Sequence, residues 1–224
     1  MGNNWFDFKK FTIYQDQCAM KVTTDACMLG SYAHVADPER ILDIGTGTGV
    51  LSIMAAQQFS RAVIDAVEID EDACRQARNN ILNCPWSDRI HLHQARAQDF
   101  VRENLDYDLI LCNPPYFNDQ LKTGKPRKDL ARHSTGLSIE ELAHMAALVL
   151  KDRGRLYLIL PPEPFGKICR ELAPAGLSLV DHLVIRETKE RGKLRHIGGF
   201  SREDIPKKDS SLFIREASGD YSDA

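Results

Sequence analysis

The sequence predicts an α/β fold built on one doubly wound, mainly parallel sheet of seven strands with antiparallel C-terminal strands. Short buried strand patterns alternate with helical patterns along most of the chain, and this alternation is typical of parallel sheets. The 224 residues are enough for one large domain with a substantial core. One strand pattern, Tyr107 to Leu111, is followed by polar and proline residues at the sheet edge where open α/β folds bind ligands.

Strands are predicted where β-branched and apolar residues form short runs. In chain order, these runs are Ile41–Ile44, Ala62–Ile69, Ile90–His93, Tyr107–Leu111, Leu156–Leu160 and Leu177–Ile185. Gly154 is expected to separate the fifth strand from the helix before it. Two further segments, around Leu194–Phe200 and Leu212–Arg215, are expected to form a last antiparallel pair.

Helices are predicted from apolar spacing and from capping residues. Residues 11–22 are expected to form short extended pieces, after which Thr23-Thr24-Asp25 begins a helix that runs to about Val35. Ser138-Ile139-Glu140-Glu141 is a capping-box pattern that opens a helix to about Lys151. The other predicted helices are Val50–Gln58, Glu71–Leu82 and a segment from Pro162 to about Leu172. Residues 118–136 are expected to form a basic loop.

Composition and charge exclude several classes of protein. The hydrophobic fraction of 43% and the charged fraction of 27% are ordinary for a soluble domain, and no apolar run is long enough for a membrane span. The six cysteines include no C-x-x-C pair, which favours free thiols over a disulfide frame or a zinc site. The net charge is −6 over residues 1–112 and +3 over residues 113–224. A basic half suits a phosphate-bearing partner, although solvated surface charge explains it equally well.

A glycine loop follows the first predicted strand. The sequence Asp43-Ile44-Gly45-Thr46-Gly47-Thr48-Gly49 predicts a nucleotide-type cofactor site, because glycines let the backbone approach a ligand closely. Glu68, at the end of the next strand, is a candidate for accepting hydrogen bonds from ribose hydroxyls. The dinucleotide fingerprint needs a third glycine where this chain has Val50. The loop instead resembles that of class I methyltransferases, which bind S-adenosylmethionine (SAM), although a purely structural turn stays possible.

Asp99 follows the third predicted strand. It is placed to accept a hydrogen bond from the adenine amino group of SAM, and it could equally be a helix N-cap.

The turn Asn113-Pro114-Pro115-Tyr116 suits a planar group that carries an amine. The two prolines end the strand and stiffen the chain, because neither has a backbone N–H. Asn113 Oδ1 and the Pro114 carbonyl can each accept a hydrogen bond from an NH2 group, and Tyr116 can stack on the plane behind it. The alternative is an ordinary Asx-Pro turn with a packed tyrosine. The buried strand before the turn and the glycine loop upstream favour the functional interpretation.

This turn resembles the Asn/Asp-Pro-Pro-Tyr/Phe motif of amino-group methyltransferases. Three more segments, residues 15–25, residues 131–135 and residues 212–215 followed by Tyr221-Ser222, resemble the bacterial valine-tRNA adenine-N6 methyltransferase family, so the likeness covers nearly the whole chain. Thr23 stands where that family more often has glycine. The family continues past the position of Ala224 into a terminal helix, so the resemblance implies a shortened form.

The resemblance implies a Rossmann-like class I methyltransferase in which residues 1–35 form a cofactor lid and residues 36–224 form the catalytic domain. It implies SAM as cofactor and tRNA as partner, with methylation of the adenine 3′ of the anticodon. It further implies a cytoplasmic monomer that needs neither metal nor membrane. The implied catalytic residues are Asn113, Pro114 and Tyr116. The implied cofactor-binding residues are Lys21, Thr24, Asp43, Gly45, Gly47, Gly49, Glu68, Asp99 and Asn113.

Basic residues are the candidates for contact with RNA. Pro115 and Tyr116 are expected to hold the target base, which must be splayed out of its loop. The implied substrate-binding cations are Lys122, Lys125, Arg127, Lys128 and Arg132, and further candidates for phosphate contacts are Arg186 to Arg195 and Lys207-Lys208.

Other functions stay open. A glutamine-N5 methyltransferase that acts on a release factor, or a guanine-N2 methyltransferase that acts on ribosomal RNA, would use the same turn for the same reason. An NAD-dependent dehydrogenase could use the same fold, but the missing third glycine argues against it. A non-catalytic RNA-binding module would have no need of the Asn-Pro-Pro-Tyr turn.

Overall fold

A computed structural model describes residues 3–18, 20–100, 106–114, 137–188, 194–216 and 222. The strands are β1 Trp5–Asp7, β2 Thr12–Tyr14, β3 Arg40–Ile44, β4 Val63–Glu68, β5 Ile90–Gln94, β6 Tyr107–Cys112, β7 Leu150–Leu160, β8 Ser178–Arg186, β9 Leu194–Ser201 and β10 Lys208–Phe213. The α-helices are α1 Thr24–Tyr32, α2 Val50–Gln58, α3 Glu71–Leu82, α4 Ala97–Phe100, α5 Ile139–Val149 and α6 Pro162–Leu172.

Eight of the described strands form one sheet in the order β10-β8-β9-β7-β6-β3-β4-β5. The chain runs outward from β3 through β4 to β5 and then crosses back to place β6 on the other side of β3. All pairs in this sheet are parallel except those made by β9, which is antiparallel to both β7 and β8. The predicted doubly wound, mainly parallel architecture is confirmed. Strands β1 and β2 form a separate antiparallel pair.

Side chains alternate between the two faces of the central strands and produce a core on each face. On one face, Ile41 and Leu109 pack in a cluster with residues of α1, α2 and α3. On the other face, Leu42 and Ile110 pack with residues of α5 and α6. Because both faces are covered, these strands are mainly apolar, and their short apolar runs could therefore be recognised in the sequence.

The N-terminal segment packs on the first of these clusters. Phe11, Ile13 and Leu29 are buried in the same core as the sheet residues. The division into a lid of residues 1–35 and a domain of residues 36–224 stays a prediction. Strand β1, in which all three residues are exposed, carries no apolar alternation and was missed.

Predicted helix ends agree with the structure where a cap defines them. Helices α2 and α3 have the predicted bounds, and Thr23 caps α1 by accepting from the N–H of Ala26. The capping box at Ser138 and Glu141 is present at the start of α5. The predicted end of α1 at Val35 was three residues too late, since Tyr32 is its last helical residue.

The prediction for the C-terminal strands was wrong in three respects. Strand β7 begins at Leu150 and runs through Gly154, where a Cβ atom would come within 2.8 Å of the Tyr107 carbonyl oxygen. Residues 212–215 do not pair with β9, because β10 begins at Lys208 and lies parallel to β8. The sheet therefore has eight strands where seven were expected.

No α-helix in the described parts of the chain is long and apolar enough to cross a membrane. The six cysteines all lie in the described parts and are free thiols.

Candidate active site

The site lies where the strand order changes direction. Ile44 of β3 pairs with Cys112 of β6, so the two strands end at the same level of the sheet. The residues that follow, Gly45 and Asn113, line the same cleft. In open α/β sheets this switch point, outside the carboxyl ends of the strands, is the usual ligand site.

The glycine loop turns the chain sharply from β3 into α2. Gly45 and Gly47 have φ values of +72° and +57°, and a Cβ atom on either would meet no atom within 4 Å. Their backbone angles, not a lack of space, therefore disfavour other residues at these positions. The Gly45 and Thr46 N–H groups donate to the Val67 carbonyl oxygen at 2.9 and 3.1 Å, which ties the loop to the end of β4.

The first cleft has a volume of about 830 Å3, including its open mouth. One wall is the glycine loop with the start of α2, and a second wall is formed by the N-terminal residues Cys18, Met20 to Thr23 and Ala26. The lining residues described are Cys18, Met20, Lys21, Val22, Thr23, Ala26, Gly45, Thr46, Gly47, Thr48, Val50, Leu51, Glu68, Asp70, Ala73 and Asn113.

A second cleft of about 430 Å3 adjoins the first. Gly45 and Glu68 line both clefts, and Pro114 lines the second. The rest of its lining is mainly apolar and consists of Ile44, Val67, Ile69, Ala95, Ala97, Cys112 and Leu137. The two residues of the Asn-Pro turn therefore face neighbouring clefts.

Glu68 is held by backbone N–H groups at the boundary between the clefts. Its Oε2 accepts from Gly47 at 2.9 Å, and its Oε1 accepts from Ile69 at 2.9 Å and Asp70 at 3.0 Å. Burial raises the pKa of Glu68, and these N–H donors oppose the rise. A carboxylate oxygen has about two acceptor positions, so Oε2 has one left for a ligand hydroxyl.

Asp43 lies beneath the glycine loop and is fully buried. Its Oδ2 accepts from the hydroxyls of Thr46 and Ser52, both at 2.6 Å, whereas none of the residues described donates to its Oδ1. Burial raises the pKa of Asp43 to about 6. Asp43 therefore holds the glycine loop through its Oδ2 hydrogen bonds, and no described residue uses its Oδ1 as an acceptor.

The predicted cofactor residues fall into two groups. Lys21, Gly45, Gly47, Glu68 and Asn113 line the first cleft. Thr24, Asp43, Gly49 and Asp99 are absent from the lining of both clefts. Their predicted contacts with the cofactor stay predictions.

Each residue of this second group has a defined place in the fold. Thr24 is the first residue of α1, and Gly49 is the N-cap of α2. Asp99 is the third residue of the short helix α4, so the alternative that it caps that helix was wrong.

Several predicted residues lie outside the described part of the chain, and the structure gives no information on them. They are Pro115, Tyr116, Lys122, Lys125, Arg127, Lys128 and Arg132.

Among the described basic candidates, Arg195 differs from the others. Its Nε donates to Asp25 Oδ2 at 2.8 Å, and both side chains are more than four-fifths buried. Lys207 pairs with Asp209 at 2.9 Å on the exposed surface, and Arg186 and Lys208 are exposed. Arg195 therefore connects β9 to helix α1, and a structural role explains its position.

Asp70 and Thr23 are among the residues of the first cleft that were not predicted. Asp70 lines the first cleft and caps α3 by accepting from the N–H of Ala73 at 2.8 Å. Thr23, and not Thr24, lines the cleft. The Glu-x-Asp spacing at 68 and 70, directly before a helix, was the available signal for Asp70.

The residues present fit SAM. Carboxylates of Glu68 and Asp70 line the first cleft and suit ribose hydroxyls. The mainly apolar lining of the second cleft suits a purine ring, and the first cleft, whose lining includes Lys21, Glu68 and Asp70, suits a ribose and a charged amino acid end. Within the described chain, no group of three or more His, Cys, Asp or Glu side chains could hold a metal ion.

Comparison with known proteins assigns this site to a family. The family model described as "Methyltransferase small domain" matches residues 26–163. The chain is 40% identical over 220 residues to a protein of Dyadobacter fermentans named tRNA1(Val) (adenine(37)-N6)-methyltransferase, covering 97% of this chain and 91% of that protein. A protein of the same name from Cytophaga hutchinsonii is 48% identical over 162 residues, covering 71% of this chain and 68% of that protein.

A solved structure supports the fold. A predicted O-methyltransferase from Agrobacterium tumefaciens superposes with a TM-score of 0.69 at 19% identity, covering 89% of this chain and 92% of that one. Taken with the family model and the two relatives, the chain belongs to the methyltransferase small domain family and, within it, to the family of tRNA1(Val) (adenine(37)-N6)-methyltransferases.

Proposed function

We propose that this protein uses SAM to methylate the exocyclic N6 of adenine in tRNA, at the adenine 3′ of the anticodon of valine tRNA. The relatives named for this reaction support the substrate. One structural observation carries the chemistry: Asn113, the residue suited to holding an amino group, lines the same cleft as the glycine loop. We expect the protein to act as a monomer in the cytoplasm.

The two clefts divide the cofactor between them in this proposal. The glycine loop and the N-terminal segment would enclose the amino acid end in the first cleft, and the apolar second cleft would take the adenine ring. Glu68 lies at the boundary, so its free acceptor position and that of Asp70 would bind the ribose hydroxyls. When bound, SAM supplies a methyl group on a positively charged sulfur.

The Asn-Pro turn prepares the target nitrogen. The N6 lone pair of adenine is delocalised into the ring, so the amine is a poor nucleophile. Asn113 Oδ1 and the Pro114 carbonyl oxygen would each accept one amino proton, which favours a pyramidal nitrogen whose lone pair points at the methyl group. These acceptor dipoles also stabilise the positive charge that develops on the nitrogen. Positioning then carries much of the rate, and no strong general base is needed.

The residue proposed to stack on the target adenine, and most of the candidates for contact with its flanking phosphates, lie outside the described part of the chain. Tyr116 is proposed to stack on the splayed adenine, and the cations from Lys122 to Arg132 are proposed to contact phosphates. Exposed Arg186 and Lys208 are further candidates on the described surface.

The decisive experiment is transfer of tritiated methyl groups from SAM to unmodified total tRNA, followed by nucleoside analysis. We expect label in N6-methyladenosine from valine tRNA. Parallel assays offer release factor or unmodified ribosomal RNA in place of tRNA. Label in a release-factor glutamine or in N2-methylguanosine, with none in tRNA, would overturn the assignment in favour of those substrates. Nicotinamide binding without SAM binding would favour a dehydrogenase.

A further inference from the structure

Three buried amide side chains hold the N-terminal segment against the rest of the site. Gln15, Gln76 and Asn80 are 6%, 1% and 0% exposed. Buried amides are rare unless their hydrogen bonds are satisfied, and each of these three bonds to backbone groups at or beside the cleft. We refer to Gln15, Gln76 and Asn80 as the amide clasp.

Asn80, on helix α3, connects both walls of the first cleft. Its Oδ1 accepts from the Tyr14 N–H at 2.9 Å, and its Nδ2 donates to the Tyr14 carbonyl at 2.8 Å. The same Nδ2 donates to the carbonyl of Thr48, in the glycine loop, at 2.8 Å. Thr48 lines the cleft, and Tyr14 leads into the segment that forms its second wall. One buried side chain therefore bonds both to the glycine loop and to the residue that leads into the N-terminal wall.

The partners of Asn80 determine its chemistry. An N–H group needs an acceptor, and two carbonyl oxygens need two donated protons. A primary amide supplies both, whereas a carboxylate or a hydroxyl does not. The backbone partners also fix which amide atom is oxygen, since the alternative orientation would place donor against donor.

Gln76 and Gln15 bind further backbone groups of the N-terminal segment, closer to the residues that line the cleft. Gln76 Oε1 accepts from the Gln17 N–H at 2.8 Å. Gln15 Oε1 accepts from the Val22 N–H at 2.8 Å, and its Nε2 donates to the Asn3 carbonyl at 2.9 Å. Val22 lines the cleft. Few regular backbone pairings hold this segment, because β2 ends at Tyr14 and α1 begins at Thr24.

We infer that the amide clasp positions the N-terminal wall of the cofactor cleft, with Asn80 as its central positioning residue, so that SAM affinity depends on a side chain outside the cleft lining. This inference rests on the proposed use of SAM. The clasp itself is a property of the protein without cofactor, and the two can be tested separately.

The test compares Asn80→Asp with Asn79→Asp. Both variants make the same chemical change one residue apart on α3, but Asn79 is exposed. In Asn80→Asp, a carboxylate oxygen replaces the donor that faces the Tyr14 and Thr48 carbonyls, so both bonds are lost and the oxygens repel. Hydrogen exchange without cofactor should be faster over residues 14–22 in Asn80→Asp and unchanged in Asn79→Asp.

Calorimetry and kinetics provide the second readout. The Kd for SAM should rise at least about tenfold in Asn80→Asp, which corresponds to roughly 1.4 kcal/mol. In Asn79→Asp it should stay within about twofold of the wild-type value. The KM for SAM should rise with it, while kcat at saturating SAM and the KM for tRNA stay close to wild type, because Asn80 would act only through the wall.

The outcomes separate the clasp from the proposed function. Wild-type exchange in a folded Asn80→Asp protein that binds SAM normally would overturn the clasp alone. A wild-type protein that bound no SAM would overturn the proposed function and the cofactor part of this inference. If Asn80→Asp does not fold, Gln76→Leu and Gln15→Leu remove fewer bonds and take its place, and unchanged exchange and SAM affinity in both would overturn the inference.

Discussion

Ile44 and Cys112 pair in adjacent parallel strands, and the residues that follow them, Gly45 and Asn113, meet in one cleft. The two motifs are 68 positions apart in the sequence. Their proximity depends on the crossover that places β6 beside β3, because that crossover aligns the two carboxyl ends. Four predictions follow from the site and its supports.

Replacing Asn113 tests the acceptor role. In Asn113→Ala, the amide acceptor is lost, so kcat should fall by about 100-fold or more, as when one oriented polar group is removed from other active sites. Asn113→Asp keeps an acceptor oxygen and should retain more activity than the alanine variant. The measurement is single-turnover methyl transfer to tRNA. Calorimetry should show that SAM binding survives in both variants, and near wild-type turnover in Asn113→Ala would contradict the assigned role.

Glu68→Gln tests the carboxylate between the two clefts. A glutamine amide would direct N–H groups at the backbone donors of Gly47 or of Ile69 and Asp70, and it would weaken the acceptor proposed for the ribose. We expect the Kd for SAM to rise by about 10- to 100-fold, since a hydrogen bond to a charged group contributes roughly 1.5–3 kcal/mol. Glu71→Gln, an exposed change at the start of α3, is the matched control. Equal SAM affinity in the two variants would remove Glu68 from the cofactor site.

Asp43 should make stability depend on pH. Burial raises its pKa to about 6 in the folded protein, above the ordinary value near 3.8, so the folded state binds more protons between these two values. The contribution of this carboxyl to the free energy of unfolding therefore decreases as pH rises through that window. Relative to Asp43→Asn, the wild type should lose about 1 kcal/mol between pH 5 and 7.5. Urea unfolding at both pH values measures this difference, and a constant or opposite difference would contradict the raised pKa.

Arg195→Ala should reduce stability and leave RNA electrostatics unchanged. Removing Arg195 takes away one ion-pair partner of the largely buried Asp25, so we expect the free energy of unfolding to fall by about 1–3 kcal/mol. The salt dependence of tRNA binding should keep its slope, because the guanidinium faces a carboxylate and not solvent. The exposed Lys208→Ala is the comparison, and its slope should become shallower by about one unit if Lys208 contacts a phosphate. Unchanged stability together with a shallower salt dependence in Arg195→Ala would indicate that Arg195 contacts RNA.

Local sequence was sufficient for features that depend on neighbouring residues. Apolar periodicity and capping predicted α2 and α3 with their bounds, and the Ser138–Glu141 capping box appeared where its pattern indicated. The glycine loop was recognised from its spacing, and the end of β6 just before Asn113 was recognised from the prolines that follow. Each of these features is decided within a few residues, by dihedral preference or by a side chain that bonds to its own turn of helix.

Only tertiary structure decided features that join distant parts of the chain. Strand β10 pairs with β8, which is distant in the sequence, and nothing in residues 208–213 themselves indicates that partner. The sequence suggested that Arg195 contacts phosphate, but in the fold Arg195 pairs with Asp25. The sequence placed Asn80 on a polar helix, but in the fold its amide bonds to the backbone of Tyr14 and Thr48. A side chain's charge and hydrogen-bonding groups are known from the sequence, but its partners depend on which segments the fold brings together.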